Sequence, residues 1–419
     1  MPLSVTKQGL SIFGTKGWTA NKLRLGKGIG IDPDEIIIGS LGATAYVVAN
    51  DAKTEEKTFA QVLQNMGYPA WVCGGADDDV QLLAADAYVG SGGRVILSET
   101  AAGFQCAAQL VLNAVFEGQG EELTKIVLTN AAINPFIIPK PGGNILNCKV
   151  EVPAGYTGDA IKFDAADSWQ YRHGLLGGMY LYQSGVNYTG RGLLITRDVG
   201  GVFNTNTFGQ PITMRGFDFG FRFENLSADY PANVNGNVFP VINLIHNKTG
   251  IKLYSQHRMY ENVFGIVTNQ AMDGALATLD LEFVNDVGAT THNFFKSVID
   301  SDIPATGYSV KISKYGIGCE ITGALCGRVQ DLGLNKITNL YPSSTNVLVT
   351  QDRHTQTSLK NLLGASLAEH LYGADFVIIS QATEGSAKAI DISGNNKKIA
   401  LTGSPTFGSH AQTGFPILT

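Results

Sequence analysis

Residues 249–283 read TGIKLYSQHRMYENVFGIVTNQAMDGALATLDLEF. Ile251 and Leu253 alternate with polar neighbours, and so do Leu281 and Phe283 thirty residues later. Alternation puts such side chains on one face of a strand. Working outward, the pair recurs as Ile161/Phe163, Leu193/Ile195, Phe221/Phe223 and Val310/Ile312, so the steps are 32, 28, 30, 30 and 29 residues. A second apolar run follows at a fixed offset: Phe264 is 13 residues after Ile251, and Phe294 is 13 after Leu281. Asn262 and Asn293 each stand just before that run. A step near 30 is what a solenoid of stacked coils gives, each coil burying its apolar face on its neighbours. Asparagine at a coil corner can stack with its copies into a hydrogen-bonded ladder.

The flanks of the periodic region read differently. Thr54 to Met66 sets Phe59, Val62, Leu63 and Met66 at i, i+3, i+4 and i+7, one apolar stripe of a helix that Gly67 ends. A second helix opens at Asp77-Asp78-Asp79, whose carboxylates are expected to cap it. Val80, Leu83, Ala84 and Ala87 are its expected apolar face, Gly90 to Gly93 ends it, and Arg94–Leu97 reads as a strand. After Cys326 the pattern fades into a possible helix at Thr357–Leu371 and short strands at Val347–Val349, Phe376–Ile379 and Ala389–Ile392. The expected division is a docking or stalk segment at 1–45, capping helices and the start of the β-helix at 46–130, parallel β-helix at 131–326, and a C-terminal capping and oligomerisation region at 327–419. The last coil's unpaired backbone groups call for such a cap.

One stretch resembles a known family. Residues 46–99 contain Val47-Val48-Ala49, Trp71-Val72-Cys73, the Asp77–Asp79 cluster, a helix, Gly92-Gly93 and Val95-Ile96-Leu97. Leu110 to Gly120, an apolar run ending in Gly118-Gln-Gly120, then leads to Thr124-Lys-Ile126. This resembles the opening of right-handed parallel β-helix proteins of the pectate-lyase superfamily, which includes phage tailspikes and polygalacturonase-like enzymes. It departs from them at Thr100 to Ala102, where the family has a short Gly-x-Tyr/Phe turn. The resemblance covers about a fifth of the chain. It implies an all-β, right-handed parallel β-helix with an N-terminal capping helix and a small C-terminal domain.

Composition narrows the class. Charged residues are 16% of 419, against a usual ~25%, and glycine is 50, which suits many short strands joined by tight turns. The net charge of −6 offers no basic excess for nucleic acid. No apolar run reaches the ~18 residues of a membrane span, and MPLSVTKQGLSIFG has no secretion signal. Five cysteines, an odd number without a CxxC pair, read as reduced thiols. Gly26-x-Gly28-x-Gly30 lacks the Gly-Lys-Ser/Thr ending of a phosphate loop.

The chemistry-bearing candidates are few. Cleaving a glycosidic bond takes two carboxylates across it. Asp218 and Glu224 flank Phe221, while Asp280 and Glu282 flank Leu281 and share one outward face. The polygalacturonase motifs Asn-Thr-Asp and Arg-Ile-Lys are missing, so that family's catalytic set is not carried over. Asp164/Asp167 and Asp300/Asp302 are thin as a calcium site, and the seven histidines have no ligand spacing. No metal or cofactor is therefore assigned. Trp169, Tyr171, Tyr180, Tyr182 and Tyr188, mixed with Arg172, His173 and Gln183, are a candidate sugar platform, since rings stack while polar tips hydrogen-bond.

These readings, with the resemblance, lead to an expected function. The chain is expected to be a virion surface protein, a bacteriophage tailspike or tail fibre that attaches to a host surface polysaccharide. It would be a homotrimer, joined to other virion proteins through its N-terminal segment and assembled in the host cytoplasm. The alternatives are a polysaccharide hydrolase or lyase on the same scaffold and a structural decoration protein without a ligand.

Overall fold

The computed structural model describes residues 44–340 apart from 166–176, 186–187, 198–200, 227–232, 285–291, 305, 314, 326–327 and 332–333. Beyond that span it describes short strands at 5–6, 9–10, 349–350, 356–360, 370–372, 377–379 and 391–393. Strand accounts for 51% and helix for 9%, and the fold is a parallel β-solenoid. The chain forms two compact units, 1–153 with 177–180, and 154–176 with 181–419.

In the first unit the strands visit three sheets in turn. Arg94–Leu97, Val115–Glu117 and Asn144–Leu146 are neighbours in one sheet, which ends in Thr44–Val48 and Ala70–Val72. Phe104–Cys106, Lys125–Leu128 and Cys148–Val152 form the second, and Leu110–Leu112 pairs with Ile137–Pro139 in the third. Helix α1, Thr54–Asn65, buries Phe59 and Leu63 of the expected stripe, while Val62 and Met66 are half-buried and Ala60 is buried beside them, and Gly67 follows it at φ +82°. That angle is in the left-handed region, where glycine meets no Cβ penalty. Cys73, Cys106, Cys148 and Cys319 are buried and form no disulfide.

Helix α2, Asp79–Val89, is turned the other way from the expected one. It buries Asp79, Leu82, Ala85 and Asp86, while Val80 is 60% and Tyr88 62% exposed. Ala84 and Ala87 also face solvent. The carboxylates do not cap the helix: Asp78 makes no side-chain cap hydrogen bond. Asp78 accepts from the backbone N–H groups of Gly75 and Gln105, and Asp79 from that of Ala107. Asp86 accepts from the N–H groups of Asn113 and Ala114. Those amides flank strands Phe104–Cys106 and Leu110–Leu112, which stand at the ends of their sheets. A buried amide left unpaired costs about 1–3 kcal/mol, so these needs outweigh burial of the helix's apolar side.

The second unit is built on two long parallel sheets. Sheet I stacks Asp159–Asp164, Arg191–Arg197, Phe219–Asn225, Thr249–Ser255, Ala277–Phe283, Tyr308–Ile312 and Arg328–Asp331. Sheet II stacks Ile212–Arg215, Val238–Ile245, Val263–Gln270, Phe294–Ser301, Ile317–Leu325 and Leu334–Leu340. The inward row of sheet I runs Ile161, Leu193, Phe221, Ile251, Leu279, Val310. Leu279, not Leu281, therefore aligns with Ile251, so the expected register is two residues out in that coil. A two-residue slip keeps the face, and Leu281 and Phe283 are still buried. Phe264 aligns with Phe295, and the expected Phe294 faces outward. The offset between sheets is thirteen residues in one coil and sixteen in the next.

The core and its corner are repetitive. Phe208, Phe239, Phe264 and Phe295 stack ring on ring at 4.6, 5.0 and 4.4 Å between centroids. Asn206, Asn237, Asn262 and Asn293 form the expected ladder, each Nδ2 donating to the next Oδ1 at 2.8–2.9 Å. All four are fully buried, and the Nδ2 groups of Asn237, Asn262 and Asn293 also donate to the carbonyls of Phe203, Val234 and Met259. The repeat fades after Cys326 because the coil contracts: Val310 aligns with Val329, only 19 residues on. The helix expected from Thr357 is not formed; Gln356–Lys360 is a strand that pairs with Leu334–Leu340, and His370–Tyr372 is also a strand. Pairing with the exposed sheet edge overrides the apolar spacing there.

Candidate functional site

The outer face of sheet I carries rows of charged side chains. In one row Lys162, Leu194, Arg222, Lys252, Asp280 and Lys311 are in register, and in the next Asp164, Thr196, Glu224, Tyr254 and Glu282. These rows are laced together. Lys162 Nζ reaches Asp164 at 2.9 Å, Arg222 Nε reaches Glu224 at 2.5 Å, and Arg222 lies over the rings of Phe219 and Tyr254. Arg191 pairs with buried Asp159, whose carboxyl is pushed up by burial although the guanidinium opposes the shift.

The expected carboxylate pairs sit on this face. Asp280 and Glu282 do come together, but around Lys252, whose Nζ donates to them at 2.7 and 2.6 Å. Lys252 is 8% exposed, so the ammonium fills the space between the two acids. Asp218 and Glu224 do not meet. Six residues apart on nearly extended chain, they are separated by about 20 Å. Asp218 pairs with Lys248 at 3.6 Å, and Glu224 is buried against Arg222.

Of the ring cluster, Trp169 and Tyr171, with Arg172 and His173, lie outside the described residues. Tyr180 and Tyr182 alternate with buried Met179, Leu181 and Gln183, so both rings face outward, half-buried. Lys149 Nζ lies 5.4 Å from the Tyr180 ring centre, and Arg215 Cζ 5.7 Å from that of Tyr182. Tyr188, half-buried at φ +43°, stands in the turn after that strand. Gln183 faces inward and donates to the Tyr156 carbonyl at 2.7 Å, so it is structural.

The outer face of sheet II is built differently. A groove of about 440 Å³ crosses four strands there. Its central row is Thr213, Asn243, Thr268 and Ile299, in register. Thr268 Oγ1 donates to Asn243 Oδ1 at 2.8 Å, and Asn243 Nδ2 donates to Thr213 Oγ1 at 3.4 Å. Ile245, Gln270 and Ser301 form one bank, and Leu244, Asn269 and Asp300 lie beneath it. Asn269 Nδ2 donates to Thr278 Oγ1 at 2.7 Å, and its buried Oδ1 has no hydrogen-bond partner. Tyr182 stands on the next strand, beside Arg215. The sequence held a signal for this row: Thr213, Asn243 and Thr268 each sit between inward residues, 30 and 25 residues apart.

Among the described residues no three His, Cys, Asp or Glu side chains converge as metal ligands, and no helix is long and apolar enough to cross a membrane. Comparison of the chain with protein-family models, with curated proteins and with solved structures finds no match.

Proposed function

We infer that this chain is a surface-attachment protein, a β-solenoid of the tailspike or tail-fibre kind, borne on a virion assembled in the host cytoplasm, which holds a host-surface glycan. The observation that carries this reading is the outward, half-buried Tyr182 ring beside a groove whose outward row is made of hydroxyls and an amide. Such a ring offers a face for a sugar to stack on, and the groove offers partners for its hydroxyls. The resemblance of residues 46–130 to tailspike openings supports the virion setting. A homotrimer joined to the virion through the N-terminal segment belongs to the same reading, and light scattering of the full chain would then give about three times 44.6 kDa.

Cleavage on the same scaffold is the weaker reading. A general acid has to give its proton to the leaving oxygen, and Lys252 holds both Asp280 and Glu282 as ion-paired acceptors. Attachment is tested by binding the full-length protein to a panel of bacterial cells and to polysaccharides extracted from them. Trp169→Ala and Tyr182→Ala are each expected to weaken binding by about 1–2 kcal/mol while the assembly persists. Parent-like binding by both variants would reduce the rings to packing. A chain that binds no cell and no polysaccharide would be a structural decoration protein instead.

A further inference from the structure

We propose that the groove on sheet II seats an uncharged glycan that runs along the stacking direction, across the strands, with about one sugar ring to each coil. This rests on the attachment reading and adds the ligand's chemistry and direction.

Pitch is the first argument. Thr213, Asn243 and Thr268 repeat at the spacing of neighbouring strands, about 4.8 Å. That is close to the length of one pyranose unit in an extended chain, so a polysaccharide laid across the strands would meet the same kind of polar group at every ring. A chain laid along a strand would meet side chains at a different spacing. From Tyr182 to Ile299 the path crosses five neighbouring strands, about 19 Å. It ends on an apolar side chain at each end, a half-buried ring and Ile299, which is 48% exposed.

Donor and acceptor balance is the second. The side chains of the row already bond to one another, which fixes their directions. Each threonine hydroxyl and the asparagine amide keep further capacity to donate or accept. Sugar hydroxyls do both, so they match a mixed row better than an anion, which only accepts.

Charge is the third. Among the described residues that line the groove, Asp300 alone is ionisable, and it is buried. No lysine or arginine lines it. A uronate or sialate polymer would therefore lay most of its carboxylates along the row without a cation to replace their water, Arg215 standing only at the Tyr182 end. On sheet I, Lys162, Arg222 and Lys252 are held in ion pairs.

The test is a carbohydrate array of uncharged polymers (glucan, mannan, galactan, rhamnan) and acidic ones (polygalacturonate, alginate, polysialate), probed with the full-length chain. Binding to at least one uncharged polymer is expected. The combined Thr213→Val, Asn243→Leu and Thr268→Val variant should lose at least tenfold in affinity. Its three sites are half-buried surface positions, and an unchanged melting temperature confirms folding. Should that variant unfold, the single Thr268→Val change is read instead and should lose at least threefold. Lys252→Ala, on the other face, should bind within twofold of the parent. Binding confined to acidic polymers, or a folded row variant that binds like the parent, overturns the proposal and leaves the attachment reading standing. Absence of binding to every polymer, with no binding to cells either, removes both.

Discussion

The two outer faces of the second unit share a backbone plan and differ in what their side chains do with one another. On sheet I the outward rows are spent on each other: Lys162 on Asp164, Arg222 on Glu224, Lys252 on both Asp280 and Glu282. On sheet II the outward row is uncharged, bonds to itself through single contacts, and lies in a groove. The central inward rows are alike, apolar and buried in both: Phe221, Ile251 and Leu279 in sheet I, Ile242, Val267 and Val298 in sheet II. The difference teaches that a solenoid separates its duties by face. A face whose polar groups are mutually satisfied adds to shape and solubility, while one with unspent capacity is where a ligand gains most on binding.

Substitutions can break this contrast, beginning with the core the two faces share. Phe264→Ala removes the middle of the stacked rings and should cost about 3–5 kcal/mol by chemical denaturation, lowering both faces together. If only one face lost its structure by hydrogen exchange, the two sheets would not be one cooperative unit.

A pH scan comes next, because its effect could be misassigned to the charged face. Glu56 of α1 is buried with one carboxylate oxygen unpartnered, and burial together with nearby Glu99 pushes its carboxyl up to about 7. A carboxyl raised in the folded state favours folding at low pH, and that advantage is lost as pH rises from about 4.5 to 7. Stability should fall by about 1–2 kcal/mol across that window, and Glu56→Gln should flatten the profile. A profile unchanged by that variant would return the titration to sheet I.

Lys252→Ala should cost about 1–2 kcal/mol, a value discounted because Glu282 is half in solvent, and added salt should shrink the difference. Thr268→Val should be the smallest in stability, within about 0.5 kcal/mol, although it sits in the row where binding is expected to be lost. A large stability loss there would mean the row of sheet II is structural, as the rows of sheet I are.

Much of this architecture could be read before any coordinates. Alternating pairs reveal inward rows because burial is unforgiving, and Asn262 and Asn293 were legible as ladder rungs because a buried amide must find a partner at its own period. The register slip at Leu279 was not legible. Leu279, Leu281 and Phe283 are all apolar and all on one face, so no side chain marks the true alignment. The orientation of α2 was hidden because its buried acids answer amides 27 or 28 residues away in sequence, which no local pattern records. The groove was hidden because Thr, Asn and Thr at steps of 30 and 25 look like ordinary surface. Asp280 and Glu282 were found as neighbours, yet the lysine between them comes from the coil before.

The acids of α2 have a further consequence for how the molecule ages. By holding the amides of Gln105, Ala107, Asn113 and Ala114, Asp78, Asp79 and Asp86 work as a stopper at the end of a strand stack. An open stack is a template, and an incoming strand from another molecule would pair with it as readily as a coil of its own. Asp78→Ala together with Asp86→Ala would leave those amides without their acceptors. That variant should unseat α2 before the coils themselves melt, and the freed end would seed filaments rather than monomeric unfolding.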